Sequence, residues 1–280
     1  MKKFIMGAAA AVLIFAAILL INLHFDKNVY ITEYTYASEK VPAEFDGYKA
    51  ALISDMHNSK YADKFNTELD SVKADAVIFS GDMIQKPSCD LSNVLKIVRA
   101  QKDKSKIFAV FGNHEAQNGY IPRKEIAKQL RENDVVLLQN DFADIKRGAS
   151  SVRFIGIEDV GNESINAETA EGFRSTAEKC ADENLLNILI YHRANLYPEL
   201  KQCPVDLILS GHLHGGIVRL PFVGGLIGES GKSLFPKYSS GIYKEKNAAE
   251  MIVSRGADFS LKKMRIFNPP EIVVITLKCK

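Results

Sequence analysis

Residues 50–57 read AALISDMH, a short apolar run that ends in an aspartate and, two positions later, a histidine. An apolar run of this length predicts a buried strand. Asp55 and His57 then lie on the turn that leaves the strand, where both side chains can face one point at the sheet edge. Taken alone, this D-x-H pattern fits a solvated loop better than a metal site.

Four more polar blocks occur downstream, each at or directly after a short apolar run that contains β-branched residues. Each block by itself has an ordinary explanation, such as a turn aspartate, a helix N-cap asparagine or a structural histidine. However, five of the six histidines of the chain fall within the five blocks, which argues against histidines that merely fill a core. The four further blocks are Gly81-Asp82, Gly112-Asn113-His114-Glu115, His192 and Gly211-His212-Leu213-His214.

The residue types in these blocks suit the binding of divalent metal ions. A carboxylate can bridge two cations because it has two acceptor oxygens, and asparagine offers a neutral amide oxygen. A histidine ring nitrogen can bind a metal or move a proton. The glycines allow the backbone to turn close to a bound ion.

The ordered set D-x-H, G-D, G-N-H-E, H and G-H-x-H resembles the calcineurin-like metallophosphoesterase superfamily, and the resemblance covers residues 52–214. The sequence GHLHGG at residues 211–216, followed by RLPF at residues 219–222, resembles the bacterial membrane-associated branch of that superfamily. The same branch is indicated by three features of the tail: Ser254-Arg255-Gly256, Arg265 and Pro270-Glu271-Ile272.

The resemblance implies a four-layer αββα metallophosphoesterase sandwich with two divalent metal ions held at the strand ends. Mixed oxygen and nitrogen ligation of this kind suits Mn²⁺, Fe or Zn²⁺, and the sequence does not decide among them. Carried over by position, one metal ion takes Asp55, His57 and His214, the other takes Asn113, His192 and His212, and Asp82 bridges both.

The resemblance also implies a reaction. Two such metal ions lower the pKa of a shared water, whose hydroxide attacks phosphorus in line with the leaving oxygen. His114 is not a ligand in this scheme and is expected to act as general acid towards the leaving alkoxide. Ser/Thr phosphatases of the superfamily read GDxxDRG at the second block, whereas residues 81–87 read GDMIQKP. The missing acid and arginine argue against a phosphoprotein substrate and leave no obvious local carboxylate to orient His114.

The expected substrate bond is a phosphodiester or pyrophosphate link in a lipid or an envelope-related molecule. The alternatives are a broad-specificity phosphomonoesterase and a non-catalytic, membrane-tethered metal-binding scaffold. Residues 220–227 are apolar and glycine-rich. They fit a hairpin, or one wall of a groove that accepts lipid.

The composition sets broad limits. A chain of 280 residues with 46% hydrophobic residues can form one substantial core. A net charge of +2, from 36 basic and 34 acidic side chains, gives no reason to expect a nucleic acid partner. The four cysteines show no CxxC spacing, so free thiols are expected, although a disulfide is possible outside the cytoplasm.

The N-terminus predicts a transmembrane helix. Residues 4–21 carry no charge and approach the length that crosses the roughly 30 Å hydrocarbon core. Lys2 and Lys3 favour a cytoplasmic N-terminus, which places the catalytic domain on the extracytoplasmic side of the cell membrane. An uncleaved anchor is favoured over a cleaved signal peptide because no small-x-small site follows. It is favoured over a buried helix because the segment has no polar face.

The predicted domain organisation has three parts: residues 1–25 as a membrane signal anchor, residues 26–48 as a juxtamembrane segment with the first strand, and residues 49–280 as the metallophosphoesterase domain. Within the last part, runs of strand length alternate with helical spacing, which predicts an α/β fold with parallel strands. Strands are predicted at residues 29–36, 50–54, 76–80, 107–111, 135–138, 152–157, 186–191, 205–209, 251–254 and 271–277. Helices are predicted at residues 61–72, 91–100, 123–132 and 167–180.

Overall fold

The computed structural model of the protein describes residues 28–161, 166–220, 223–228, 233–258 and 265–280. The predicted signal anchor at residues 1–25 lies outside these ranges. Among the described residues, no helix combines the length and the apolar character that a bilayer crossing requires.

The fold alternates strands and helices through most of the chain. The strands are β1 (Tyr30–Ser38), β2 (Lys49–Ile53), β3 (Ala76–Phe79), β4 (Lys106–Ala109), β5 (Val136–Leu137), β6 (Asp141–Arg147), β7 (Ser150–Gly156), β8 (Leu186–Arg193), β9 (Leu207–Gly211), β10 (Val218–Leu220), β11 (Gly224–Ile227), β12 (Gly241–Tyr243), β13 (Glu250–Val253) and β14 (Glu271–Cys279). The helices are α1 (Ala62–Val72), α2 (Ser92–Gln101), α3 (Asn113–Ala116), α4 (Tyr120–Glu132), α5 (Ala167–Cys180) and α6 (Tyr197–Leu200). Short 3-10 turns form at Ala43–Phe45 and Ala194–Leu196.

Two six-stranded sheets form the centre of the described fold. The first has the order β1-β14-β2-β3-β4-β5, and the second has the order β12-β13-β9-β8-β7-β6. Strands β2 to β5 are parallel, as are β13, β9, β8 and β7, so the predicted parallel arrangement is confirmed for the middle of both sheets. Strand β14 pairs antiparallel with β2, and edge strands β12 and β6 are also antiparallel to their neighbours.

Alternating residues of each sheet build the layers. In β3, Ala76 and Ile78 face the second sheet, whereas Val77 and Phe79 pack with the apolar faces of α1, α2 and α4. In β8, Ile188 faces the first sheet and Leu189 packs with α5 and α6. Because side chains alternate across a strand, each sheet buries both faces. The described elements therefore stack as helices, sheet, sheet and helices, a mixed α/β arrangement.

The main differences from the predicted elements lie at an edge and at a strand end. Strand β6 was not predicted because its sequence, DFADIKR, is polar and lies at the edge of the second sheet, where burial is low. Strand β8 continues beyond residue 191 to Arg193, and its register with β9 shifts between Ile190 and Arg193. Such an irregularity turns side chains away from strict alternation.

Two smaller expectations concern the hairpin and the cysteines. Strands β10 and β11 form the hairpin expected around residues 220–227, but they make a two-stranded antiparallel sheet of their own and are not part of either six-stranded sheet. All four cysteines, which lie within the described ranges, are free.

Candidate metal centre

The polar blocks meet because the strands that precede them end at one edge of the two sheets. The backbone N–H of His212, after β9, donates to Asp55 Oδ2, after β2, over 2.9 Å. In the neighbouring strands, Nε2 of His192 lies 3.2 Å from Oδ2 of Asp82. Residues from both sheets therefore share one site at the carboxyl ends of parallel strands, where α/β proteins bind ligands.

Three overlapping groups of described side chains place possible ligand atoms within 4.8 Å of one another. Two of the groups contain Asp82, which is the position that a bridging carboxylate requires. The groups are Asp55 with His57 and His214; His57 with Asp82 and His114; and Asp82 with His192 and His212.

The second predicted set also includes Asn113, the first residue of α3. It is not the N-cap of that helix, which is Gly112. The amide oxygen Oδ1 of Asn113 is buried, and the described residues offer it no hydrogen-bond partner. Asp55 Oδ1 shares this condition within the described part of the chain.

Unpaired buried acceptors are costly unless a cation satisfies them. Oδ1 of Asp55 lies 3.5 Å from Nε2 of His214 and 3.8 Å from Nε2 of His192. These separations are too long for hydrogen bonds and leave room between the atoms. The donor set of carboxylate, amide and imidazole groups therefore fits divalent metal ions, as the resemblance implies.

Backbone carbonyls orient two of the candidate histidines. Nδ1 of His57 lies 3.1 Å from the carbonyl oxygen of Ile84, and Nδ1 of His192 lies 2.9 Å from that of Ser80. A nitrogen facing a carbonyl carries the hydrogen, so Nε2 of each ring is the atom available to a metal ion. The rings of His57 and His214 also stack, with centroids 5.3 Å apart.

The charges of the metal-free site favour cations. Burial alone would raise the pKa of Asp82, but His192 outweighs it and holds that pKa well below its usual range. Burial likewise opposes the ionisation of Asp55, and His214 lowers its pKa overall. The pKa of His192 rises to about 10, against the effect of burial, because Asp82 and Asp55 face it. The two ionised carboxylates thus create a negative potential that attracts cations to the site.

Backbone strain is concentrated in the same residues. Asp55, His57, Asp82, His212 and His214 all have φ between 45° and 78°, the left-handed region that non-glycine residues rarely adopt. Such conformations cost about 1–3 kcal/mol each and persist where the surrounding structure imposes them, often at active sites. The strain aims five candidate ligands at one point.

Glycines allow the loops to approach one another. A Cβ atom on Gly112 would lie 2.5 Å from the backbone nitrogen of Asp82. A Cβ atom on Gly81 would lie 2.7 Å from Nδ1 of His192, and Gly81 has a φ of 104°. Both positions therefore require glycine, which explains the G-D and G-N pairs.

Glu115 is a site residue to which the sequence assigned no role. It is fully buried, and its carboxylate accepts hydrogen bonds from the backbone N–H groups of Asp82 (2.9 Å), Ile84 (3.0 Å) and Gly112 (2.8 Å). Burial and the nearby Asp82 raise the pKa of Glu115 to about 7. Glu115 joins the second and third polar loops, and its place at the end of G-N-H-E was the available signal.

We expect Glu115→Gln to destabilise the protein by about 2–3 kcal/mol, because an amide NH₂ group would face a backbone donor and leave it unsatisfied. Displacement of the Asp82 loop should also weaken metal binding about 10- to 100-fold. Chemical denaturation and metal titration measure the two effects. Glu125→Gln, on the exposed side of α4, is the matched control. Equal unfolding midpoints for the two variants would show that Glu115 does not hold these loops together.

His114 lies at the more open side of the site. The backbone N–H of Lys86 donates to its Nδ1 over 3.3 Å, which leaves the ring hydrogen on Nε2. Nε2 lies 3.8 Å from Oδ2 of Asp82, and the ring packs edge-on against His57. Burial lowers the pKa of His114 to about 4. A backbone group therefore orients this ring, in place of the carboxylate that was missing from the sequence.

Residues of the C-terminal tail support the G-H-x-H loop. The guanidinium of Arg265 is buried and donates to the carbonyl oxygen of His214 over 3.2 Å. Nδ2 of Asn268 donates to the same oxygen over 2.6 Å. Nε of Arg255 donates to Glu271 over 2.7 Å, and the backbone N–H of Arg255 donates to the other oxygen of that carboxylate. The tail thus fixes the backbone of the G-H-x-H loop through the carbonyl oxygen of His214.

Comparison with known proteins agrees with this geometry. The family model described as Calcineurin-like phosphoesterase matches residues 48–216. The uncharacterized metallophosphoesterase YkuE of Bacillus subtilis (strain 168) is 28% identical over 261 residues, which cover 88% of this chain and 85% of the relative. An uncharacterized metallophosphoesterase of Aquifex aeolicus (strain VF5) is 26% identical, with 89% and 92% covered. Phosphodiesterase YaeI of Escherichia coli (strain K12) is 23% identical, with 63% and 64% covered.

Proposed function

Since this chain belongs to the calcineurin-like phosphoesterase family and is a metal-dependent phosphoesterase, we propose that it cleaves a phosphodiester or pyrophosphate link in a lipid or envelope-related molecule. The observation that carries the proposal is the two ligand groups that share Asp82: one contains His192 and His212, and the other contains His57 and, at the more open side, His114. A phosphoryl group needs charge stabilisation from both sides, and this arrangement offers it.

In this proposal the described side chains hold two metal ions. The first is bound by Asp55, His57 and His214, the second by Asn113, His192 and His212, and Asp82 contributes to both. The bound cations supply an activated water and stabilise charge on the phosphoryl oxygens. Mn²⁺, Fe and Zn²⁺ suit such ligands, and Mn²⁺ is the first metal ion to test.

His114 assists the leaving group through Nε2, the atom that carries the ring hydrogen. Because the N–H of Lys86 occupies Nδ1, the ring remains neutral, and it stabilises the leaving oxygen by donating a hydrogen bond. This proposal modifies the general-acid expectation. The neutral ring donates a hydrogen bond, and it can transfer its proton fully only when Nδ1 is protonated as well.

The preference for a diester rests on two observations. One relative carries the name phosphodiesterase, and residues 81–87 lack the second acid and the arginine of the Ser/Thr phosphatases. The lipid or envelope character of the substrate rests on the apolar residues 4–21, which would keep the domain at the outer face of the cell membrane as a single-pass protein. High local concentration would then favour membrane-linked substrates.

Membership of the membrane-associated branch is part of the same proposal. It is supported by the tail motif, in which Arg255 contacts Glu271 and Arg265 holds the loop of His214. These contacts give the branch residues a structural reason to accompany the G-H-x-H block.

Hydrolysis of two chromogenic esters by the full chain in detergent tests the function. With Mn²⁺, we expect kcat/KM for bis-p-nitrophenyl phosphate to exceed that for p-nitrophenyl phosphate by about tenfold or more. That ratio corresponds to about 1.4 kcal/mol of transition-state preference. A chelator should abolish both activities, and added Mn²⁺ should restore them.

The alternatives predict different outcomes of the same assay. A reversed ratio would identify a broad-specificity phosphomonoesterase. The absence of any hydrolysis by fully metal-loaded protein would indicate the non-catalytic metal-binding scaffold. If the diester is preferred, release of phosphate-bearing headgroups from pyrophosphate-linked lipids then tests the lipid part of the proposal.

A further inference from the structure

A cavity of about 650 Å³ opens beside the hairpin β10–β11, a size typical of small-molecule sites. Its walls come from the hairpin, from residues 235–240 and from Tyr243 and Phe267. We propose that this cavity binds the apolar chain of an amphipathic phosphoester whose phosphate group lies at the metal centre. The inference rests on the proposed function and extends it by assigning a separate part of the protein to substrate length.

Residues of the cavity wall contact the metal-site loop. Arg219, which lines the cavity, donates from Nη1 to the carbonyl oxygen of Gly215 over 2.7 Å. Gly215 directly follows His214, so the two Cα atoms are about 3.8 Å apart. Gly225 of the hairpin packs against the same carbonyl, since a Cβ atom there would lie 2.9 Å from it. A single substrate can therefore contact both regions.

Exposed apolar side chains are concentrated at this cavity. Val223 is 58% exposed and Phe235 is 61% exposed, and both line the wall together with the exposed Leu220. Leu234, also exposed, lies next to Phe235. Among the described residues, Phe142 is the one other large hydrophobic residue with comparable exposure. Apolar surface gathered at one cavity marks a binding site for an apolar group.

Three aromatic residues of the wall are held in unusual backbone conformations. Phe235, Tyr238 and Phe267 have φ values of 50°, 61° and 52°. Bulky residues rarely adopt the left-handed region, and such strain persists where the surrounding structure imposes it. The same left-handed backbone occurs at the candidate metal ligands. It indicates that the surrounding structure fixes the shape of this wall.

The charges around the cavity favour an anionic substrate. Arg219 lies at the side that joins the metal-site loop, and Lys237 lies in the segment that forms the opposite wall. Two cations near apolar walls attract a phosphoester while its chain contacts Val223 and Phe235.

A series of p-nitrophenyl alkyl phosphodiesters, from methyl to octyl, tests the assignment with the metal-loaded full chain. Full burial of one methylene corresponds to about a fourfold change in affinity. In an open cavity we expect about half that free energy, so KM should fall about twofold per methylene and roughly 100-fold across the series. The value of kcat should change little, because the leaving group is constant.

Variants of the wall locate the effect. In the double variant Val223→Ser/Phe235→Ser, the decrease in KM across the series should shrink to less than about tenfold. Phe142→Ser is the matched control, because Phe142 lies on β6, at the opposite edge of the second sheet from β12, and is 38% exposed. It should keep the full chain-length dependence. Equal dependence in the double variant and the wild type would overturn the assignment.

Binding separates this inference from the proposed function. Calorimetry with octyl phosphate, below its aggregation concentration, and with ethyl phosphate measures the chain contribution without turnover. Tighter binding of octyl phosphate that is lost in the double variant supports the cavity even if no ester is hydrolysed, an outcome that would refute the proposed function alone. Hydrolysis of all esters without chain-length dependence, together with equal binding of both phosphates, would refute the cavity alone.

Discussion

The Asp82→Asn variant is expected to keep less than about one thousandth of the wild-type turnover and to lose about one of its two metal ions. Asp82 belongs to two of the three possible ligand groups, and its Oδ2 lies near both His192 and His114. An asparagine would remove a negative charge that both cations share, and its NH₂ group would repel them. Because Asp82 serves both metal ions, its loss should lower turnover and metal content more than the loss of any other single ligand.

The substitution should leave the loop itself intact. Oδ1 of Asp82 accepts a hydrogen bond from the backbone N–H of His114 over 2.7 Å, and an asparagine oxygen can accept the same bond. The free energy of unfolding of the metal-free variant should therefore stay within about 1 kcal/mol of the wild-type value. Asp63→Asn is the control, because Asp63 forms an exposed ion pair with Lys96 far from the site.

Elemental analysis and turnover of the same samples decide the result. Two metal ions per chain in Asp82→Asn, together with normal turnover of bis-p-nitrophenyl phosphate, would contradict the bridging assignment. A fall in both quantities in Asp63→Asn would indicate that general changes in surface charge explain the loss.

The second large effect is expected for His114→Gln, which should retain both metal ions and lose about 10²- to 10⁴-fold in turnover of an alkyl phosphodiester. With a p-nitrophenyl leaving group the loss should be less than about tenfold, because that leaving oxygen needs little stabilisation. The difference follows from the position of His114, whose Nε2 hydrogen faces the site while its Nδ1 accepts from the Lys86 N–H.

A matched control comes from the neighbouring side chain. Lys86→Ala keeps the backbone N–H that orients His114 and removes the contact between Nζ and Gln117 together with one nearby positive charge. It should therefore retain near wild-type turnover of both substrates. Wild-type rates of alkyl ester hydrolysis by His114→Gln would exclude His114 from the leaving-group step. Loss of metal ions in that variant would instead assign His114 to metal binding.

Local sequence patterns were sufficient to predict most of the fold. The apolar runs at residues 76–80 and 186–191 correspond to β3 and β8, and the helix predicted at residues 167–180 is α5 (Ala167–Cys180). Strands β3 and β8 are buried on both faces and therefore form short apolar runs, and α5 buries one face at helical spacing, so their signal is strong. Strand β6 was missed because its sequence is mostly charged and none of its residues is fully buried. Glu115 was left without a role because its partners lie more than 30 positions away, apart from Gly112.

The sequence by itself determined the family and the types of ligand, because each polar block follows its strand directly and both are read from neighbouring residues. Only the tertiary structure decided how the blocks combine, since Asp55 and His212 are 157 positions apart and meet through two different sheets. The tertiary structure alone also decided three further features. They are the left-handed backbone at the candidate ligands, the carbonyls that orient His57 and His192, and the cavity beside β10–β11. Each depends on contacts between distant segments, whose geometry no local pattern specifies.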